Sequence, residues 1–315
     1  MNALIASLGG KLAERWLAGL ALPGVVFVAM VAVAVRLGHA HWWDLRLLRQ
    51  EVDRLALGAP ARSTGSALLI VLGVVLGGVV AAMAAQSLER LVVALWTQHW
   101  GWAGDAVTRR RRRRWNAAMD RYENALRDKA RRLRSADDDA GPLPDTQALA
   151  RACDRIALTE PDRPTWIGDR MQATAVRVRA RYGLDLAAAW PRLWLLLPEE
   201  TRGPLALAQA DFAAAARRVG WGLLYLALGL LWWPAAIVGL GLCVVGWRQG
   251  RSTVSVLADL VEAVVDLHVR TLGAALGHPT DGTFGTADGE AVTLLLRKDR
   301  WLPEVRRVGP GGVVR

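Results

Sequence analysis

Cysteine is almost absent: Cys153 stands in a charged region and Cys243 in an apolar run. That spacing excludes a disulfide framework and gives no sign of an oxidising compartment. Lysine is scarce as well, so the 40 cationic side chains, set against 29 acidic ones for a formal charge of +11, are nearly all arginine. Catalytic patterns are missing: there is no phosphate-cradling glycine loop with lysine, no His-Glu-x-x-His and no nucleophile elbow. His39, His41 and Asp44 lie close together without a further ligand group, His99, His268 and His278 are isolated, and Cys153 has no histidine near it. No enzyme, metal site or cofactor is therefore expected.

Charge itself is absent from three long stretches. Trp16 to Val35 is 20 residues without charge, Ser63 to Leu88 is 26 and Val219 to Trp247 is 29. A helix needs about 20 apolar residues to cross a hydrocarbon core of about 30 Å, so the first two predict spans over about 16–36 and 64–88. The third is too long for one upright span and short for two. With Trp232-Trp233-Pro234 at its middle and Arg217, Arg218, Arg248 and Arg251 at its two ends, it reads as a helical hairpin of about 212–232 and 235–250 that returns the chain to its starting side. A re-entrant hairpin is the alternative. A mean hydropathy of +0.20 with 53% hydrophobic residues agrees with a membrane protein.

The remaining segments divide the chain further. Residues 1–100 form an N-terminal membrane region whose connection, about 42–57, carries an amphipathic pattern of Leu45, Leu48, Val52 and Leu55. Leu4, Ile5, Leu8 and Leu12 predict a short interfacial helix, with a cleaved signal peptide ending near Gly38-His39-Ala40 as the rival. Residues 101–216 read as a basic helical cytoplasmic domain, with a helix to about Arg134, a turn at Asp137 to Pro142 and a second helix over about Thr146 to Leu158. Residues 217–250 are the membrane hairpin, and 251–315 a helix to about Leu276 followed by a tail. In that tail Ala291 to Leu296 and Trp301 to Val305 read as a small hairpin or loose chain. Trp16, Trp42, Trp43, Trp96, Trp100, Trp102, Trp221, Trp232, Trp233 and Trp247 fall near predicted span ends and read as interfacial anchors.

The expected fold class is thus all-α, an integral membrane protein of about four membrane helices with a helical cytoplasmic domain. Six consecutive arginines, Arg109 to Arg114, favour the cytoplasmic side for the segment after the second span, which places both termini there too, in a bacterial inner membrane. Arg36, Arg46, Arg49, Arg54 and Arg62 in the first connection resist that assignment, softened by the carboxylates among them.

Two features bear on function. Gly73, Gly77, Ala81 and Ala85 recur every four residues, and Ala235 and Gly239 continue to Cys243 in the same way. Such faces let helices approach closely, within one chain or in a homo-oligomer. Arg109, Arg110, Arg111, Arg112, Arg113 and Arg114, then Trp115, Arg121, Arg131 and Arg132, make the strongest electrostatic feature. Anionic lipid at the cytoplasmic face is its simplest partner. A nucleotide or oligonucleotide is the sharper one, with Trp115 and Tyr122 available for stacking, and an acidic protein partner is a third.

Pro164-Thr165-Trp166-Ile167-Gly168-Asp169, then Arg181-Tyr182-Gly183-Leu184-Asp185 and Trp190-Pro191-Arg192-Leu193, resemble a motif shared by a family of bacterial multi-pass membrane proteins common in actinobacteria. Asp169 stands where that family often has Asn, and Ala175 where it often has Glu. The resemblance implies paired spans, a cytoplasmic section and a terminal membrane hairpin, and no particular activity. Physically, Thr165 suits a helix cap, Gly183 a positive-φ stop, and the Trp190-Pro191 step a turn of the chain. No charge lies within a predicted span, which disfavours pumps and transporters. The expectation is an oligomeric pore, gated through the Arg-rich domain by an anionic ligand and similar in build to membrane effectors of bacterial anti-phage systems. The alternative is a non-conducting scaffold that recruits a cytoplasmic partner.

Overall fold

A computed structural model describes residues 22–39, 64–135, 143–278 and 282–298, together with Asp44, Arg46 and Arg49. Among them every regular element is a helix: α1 (Leu22–Leu37), α2 (Thr64–Thr97), α3 (Gly101–Ser135), α4 (Thr146–Ile156), α5 (Trp166–Tyr182), α6 (Leu186–Leu196), α7 (Glu199–Leu228), α8 (Trp233–Ala275) and α9 (Thr286–Arg297). The expected interfacial helix near Leu4 to Leu12, the amphipathic connection as a whole, the turn at Asp137 to Pro142, Trp16, Trp42, Trp43, His41 and Trp301 to Val305 lie outside the described residues. The chain forms two compact units. Unit 1 comprises Met1–Trp102 and Ala210–Thr253, and unit 2 comprises Ala103–Gln209 and Val254–Arg315.

In unit 1 the closest helix contacts are made by small residues, Leu37, Val92, Trp96, Phe212, Tyr225 and Leu228 are buried beside them, and many leucines and valines lie outside. α1 and α2 touch at Gly24 and Gly78, where a Cβ on Gly24 would lie 2.2 Å from the Gly78 carbonyl oxygen. Gly77 meets Val28, Ala81 and Ala85 are buried, and a Cβ on Gly220 of α7 would lie 2.8 Å from the Ala85 carbonyl. The turn Gly229–Trp232 separates α7 from α8, and the two helices then pack at Gly222 against Gly239 and Cys243, and at Gly246 against Ala215 and Val219. Most of the four-residue stripes of small side chains are thus consumed in contacts within the chain, and Gly73 alone among those named has no neighbour within 4 Å. A second layer of Phe27, Met30, Tyr225, Leu228, Trp232 and Leu242 surrounds Ala34 and Ala235. Outward face Leu68, Leu69, Val71, Leu72, Leu76, Val80, Leu230, Ile237, Leu240 and Val244, all exposed.

Within α2, Leu68–Thr97 is the one described helix long and apolar enough to cross a membrane by length and composition; α1 is apolar and shorter. α2 continues past Leu88, and Glu89 there accepts a 2.7 Å bond from Nε of Arg217. Trp96 differs from the expected anchor: it is buried, packing on Phe212 and Trp247 at ring separations of 5.7 Å. Trp102, by contrast, is exposed.

Unit 2 has a core of large side chains. Ile167, Leu184, Leu193, Leu197, Leu205, Val265, Leu272 and Val292 are almost fully buried. Local signals fix the helices around them. Thr165 caps α5 by accepting from Gly168 N–H at 3.0 Å, and Gly183 ends it at φ 67°, its N–H bonding Arg179 O. A side chain at Gly183 would also collide with Thr286 O, 2.2 Å from a Cβ, so both φ and space require glycine. Asp185 caps α6 through Ala187 and Ala188 N–H.

Three expectations change here. The Trp190-Pro191 step does not turn the chain: α6 runs through Pro191 to Leu196. The carbonyl that loses its partner is that of Ala187, an exposed residue that water reaches. The second hairpin helix and the following helix are one, α8, because an interior glycine such as Gly250 costs a helix only about 1 kcal/mol. Residues Ala291 to Leu296 form no hairpin; they belong to α9, which packs on α5 and α6 with Gly289, Val292 and Leu296 inward at helical spacing.

Candidate anion-binding groove

At about 3.6 residues per turn, six consecutive arginines cannot share one face of α3. The structure divides them. Arg111 turns toward the segment after α4, where its guanidinium donates to Asp169 Oδ2 and to the carbonyls of Arg163 (2.5 Å) and Ile156 (2.7 Å). Asp169 is buried, and its other oxygen accepts the N–H groups of Asp162 (2.9 Å) and Arg163 (2.7 Å). Arg112 follows with bonds to Pro161 O and a 2.9 Å ion pair to Glu160, and Trp115 Nε1 donates to Ala157 O at 3.0 Å. These three side chains clamp the loop 157–165, whose last residue caps α5. Asp169 thus has a definite polar role in the motif, joining α3 to α5.

The other face of α3 is different. Arg109, Arg110, Arg113, Arg114 and Arg121 line a groove of roughly 860 Å³ floored by Ala106, Ala117 and Ala118 and closed on its far side by Ala152 and Ile156 of α4. Among the described residues no carboxylate lines it, and none of these five arginines has a hydrogen bond or ion pair. Arg131 lies farther along α3 in a separate depression with Leu126, Arg127, Ala130 and Arg134, and Arg132 pairs with Asp128 at 2.9 Å. Ten residues were thus candidates from sequence, and five converge. The α4 wall has no signal in the sequence beyond the small size of Ala152.

Cys153 is buried, and burial together with Asp154 pushes its thiol up while Arg121 pulls the other way; it behaves as a small apolar side chain. Among the described residues no group of three His, Cys, Asp or Glu could hold a metal ion. His39 Nε2 meets Leu230 O at 2.9 Å.

A second polar array joins α5 to α8 within unit 2. Arg170, itself buried, donates to Asp259 at 2.5 Å; Thr174 donates to Glu262 at 2.9 Å, as does Arg177; Tyr182 donates to Asp266 at 2.8 Å. Burial pushes the Glu262 carboxyl up, but the bonds from Arg177 and Thr174 and the nearby cations outweigh it and hold it below its ordinary value. Burial and Asp266 raise the Tyr182 phenol. Every member has a partner, and the ladder ties α5 to α8 within unit 2.

Compared with models of protein families, with curated proteins and with solved structures, the chain matches none.

Proposed function

We propose that this chain is a multi-span membrane protein that binds a phosphate-bearing ligand in the groove between α3 and α4 and performs no chemistry on it. The reading has four membrane helices: α1, α2, and the two arms of the hairpin formed by the end of α7 and the start of α8. It places unit 2 and both termini in the cytoplasm of a bacterium. The exposed leucines and valines of unit 1 support the first part, since lipid accepts what water would reject. One observation carries the second: five arginines converge on one groove with no carboxylate to neutralise them. Arginine forks suit phosphate oxygens, and like charges gathered at this density favour a polyanion, even though each of the five is exposed to solvent. The test is titration of the full-length protein in phosphatidylcholine nanodiscs with a fluorescent oligonucleotide. Saturable binding that weakens with salt and in the double variant Arg113→Gln/Arg114→Gln is expected; no binding of any anion at low salt contradicts it.

In a second reading the ligand controls a pore made by several copies. The favouring observation is that Gly65 and Gly73 of α2 and Gly241 of α8 have no neighbour within 4 Å, leaving room for a second copy's helix to approach. Planar-bilayer recording with the oligonucleotide present tests it: ligand-dependent conductance is expected, and a monomeric, non-conducting particle contradicts it.

A further inference from the structure

We infer that the groove's ligand is a soluble linear chain of phosphates, of the inorganic polyphosphate class, recognised by charge and spacing without any reading of bases. The inference rests on the groove being an anion site, as proposed above, and narrows what that anion is.

Proteins that hold single-stranded nucleic acid combine cations with aromatic platforms on which bases stack. Here the platform is missing from the lining, which offers only guanidinium donors and small apolar side chains. Trp115, the aromatic nearest in sequence to the arginine run, is turned to the opposite side of α3 and bonded to Ala157 O. Tyr122 is likewise outside the lining. A base entering the groove would find no aromatic platform and no carboxylate to accept from its amino groups, only the guanidinium planes that the phosphates themselves compete for.

The spacing of the arginines suits a chain of charges. Arg109 and Arg110 sit one turn from Arg113 and Arg114, a step of about 5.4 Å, and Arg121 extends the row to about 18 Å along the axis. In a polyphosphate chain neighbouring phosphorus atoms share one bridging oxygen and stand closer than one helical turn, so alternate phosphates meet successive arginine pairs and those between add charge. The alanine floor lets the chain lie against the helix between guanidinium rows. The second wall matters as well: Ala152 and Ile156 make the site concave, and a flat anionic bilayer meets a convex face more readily than the bottom of a groove between two helices. A polycarboxylate shares the charge but carries it on side chains that need more width.

The experiment uses the full-length protein in phosphatidylcholine nanodiscs and isothermal titration with long-chain inorganic polyphosphate. Oligo-dA and oligo-dT of equal phosphate number, poly-glutamate, and phosphatidylserine vesicles are the comparison ligands. Polyphosphate is expected to bind most tightly, with oligo-dA and oligo-dT equal to each other. Arg113→Gln should flatten the dependence of log K on log salt by about 0.7 to 0.9, the change for one lost phosphate contact. Ala117→Phe, at an exposed position, fills the groove without changing charge, and is expected to weaken binding by about tenfold or more, the scale of one charge-assisted contact. Arg127→Gln, outside the groove, removes the same charge as Arg113→Gln and should leave affinity within about twofold. Tighter binding of oligo-dA than of polyphosphate, equal binding of poly-glutamate, response to vesicles alone, or indifference to Ala117→Phe would each overturn the inference while leaving an anion site in place. Absence of binding by every anion removes the site itself, a different and distinguishable failure.

Discussion

The two units of this chain solve the packing problem with different residues. Unit 1 puts glycine and alanine at its closest helix contacts and turns a nearly unbroken series of leucines and valines outward, whereas unit 2 builds its core from leucine, isoleucine and valine and mixes arginine, aspartate and glutamate among the apolar residues left outside, such as Leu195 and Leu267. In water, association is driven by removing large apolar surface. Among lipid tails that force vanishes between helices, and close backbone approach remains. The contrast is what two different solvents acting on one chain would produce.

The largest effects should come from reversing each interior. Gly24→Leu would drive a side chain into the Gly78 backbone. Loss of the monodisperse fraction on size-exclusion chromatography in detergent is expected. Leu193→Ala in unit 2 removes a fully buried side chain and is expected to cost about 2–5 kcal/mol, read from denaturation monitored within unit 2. Were a large residue welcome at Gly24, the small-contact description of unit 1 would be broken.

Next in size is the clamp. Asp169→Ala leaves Arg111, whose side chain is 16% exposed, without its counter-charge, and loss of one partner of a buried pair costs about 3–5 kcal/mol. Faster proteolysis of the 157–165 loop should accompany the loss of stability; a variant as stable as the parent would show that Arg111 finds another partner.

The outer faces give the sharpest contrast. Leu72→Arg, at a position 48% exposed in unit 1, should impair insertion by about 2.5–3.5 kcal/mol. Leu267→Arg, at a position 75% exposed in unit 2, should change stability by less than about 0.5 kcal/mol. Equal tolerance at both positions would erase the distinction between the units.

Much of this architecture is legible in the sequence, and the failures have physical reasons. Long charge-free runs mark α1, α2 and the α7–α8 pair because charge is the one thing such surfaces exclude. Thr165 and Gly183 announce α5 through cap chemistry that acts locally. Pro191 and Gly250 mislead because helix breakers cost only a few kcal/mol or less, and tertiary packing supplies more than that. α9 is hidden because its large apolar residues, Val292 and Leu294 to Leu296, run together at one end without a helical period and meet α5 and α6 only in three dimensions. At the groove, the arginine run is conspicuous, but periodicity alone does not reveal that Asp169 and the loop carbonyls claim one side of α3 and leave the other open.

The smallest effect is on pH. The Arg297 bond holds the Asp185 carboxyl below its ordinary 3.8, against the opposing effect of burial. A lowered carboxylate stabilises the fold fully above its unfolded value, and that contribution disappears as pH falls through the lowered folded value. Unit 2 should therefore melt at lower temperature below about pH 4. In Asp185→Asn the acid dependence should shrink, with stability already reduced at neutral pH; an unchanged acid profile would show that other carboxylates dominate.

What surrounds two valines of α8 distinguishes the two units most directly. Val244 is 50% exposed and Val256 54% exposed by the protein, twelve residues apart on one helix. In a Cys153→Ala/Cys243→Ala background, Val244→Cys and Val256→Cys would be treated with a charged maleimide in opened membrane vesicles, with both membrane faces reachable. Rapid labelling is expected at position 256 and none at 244 until detergent or denaturant is added. Equal labelling at both positions would mean that unit 1 stands in water, and the contrast between the two units would have no solvent behind it.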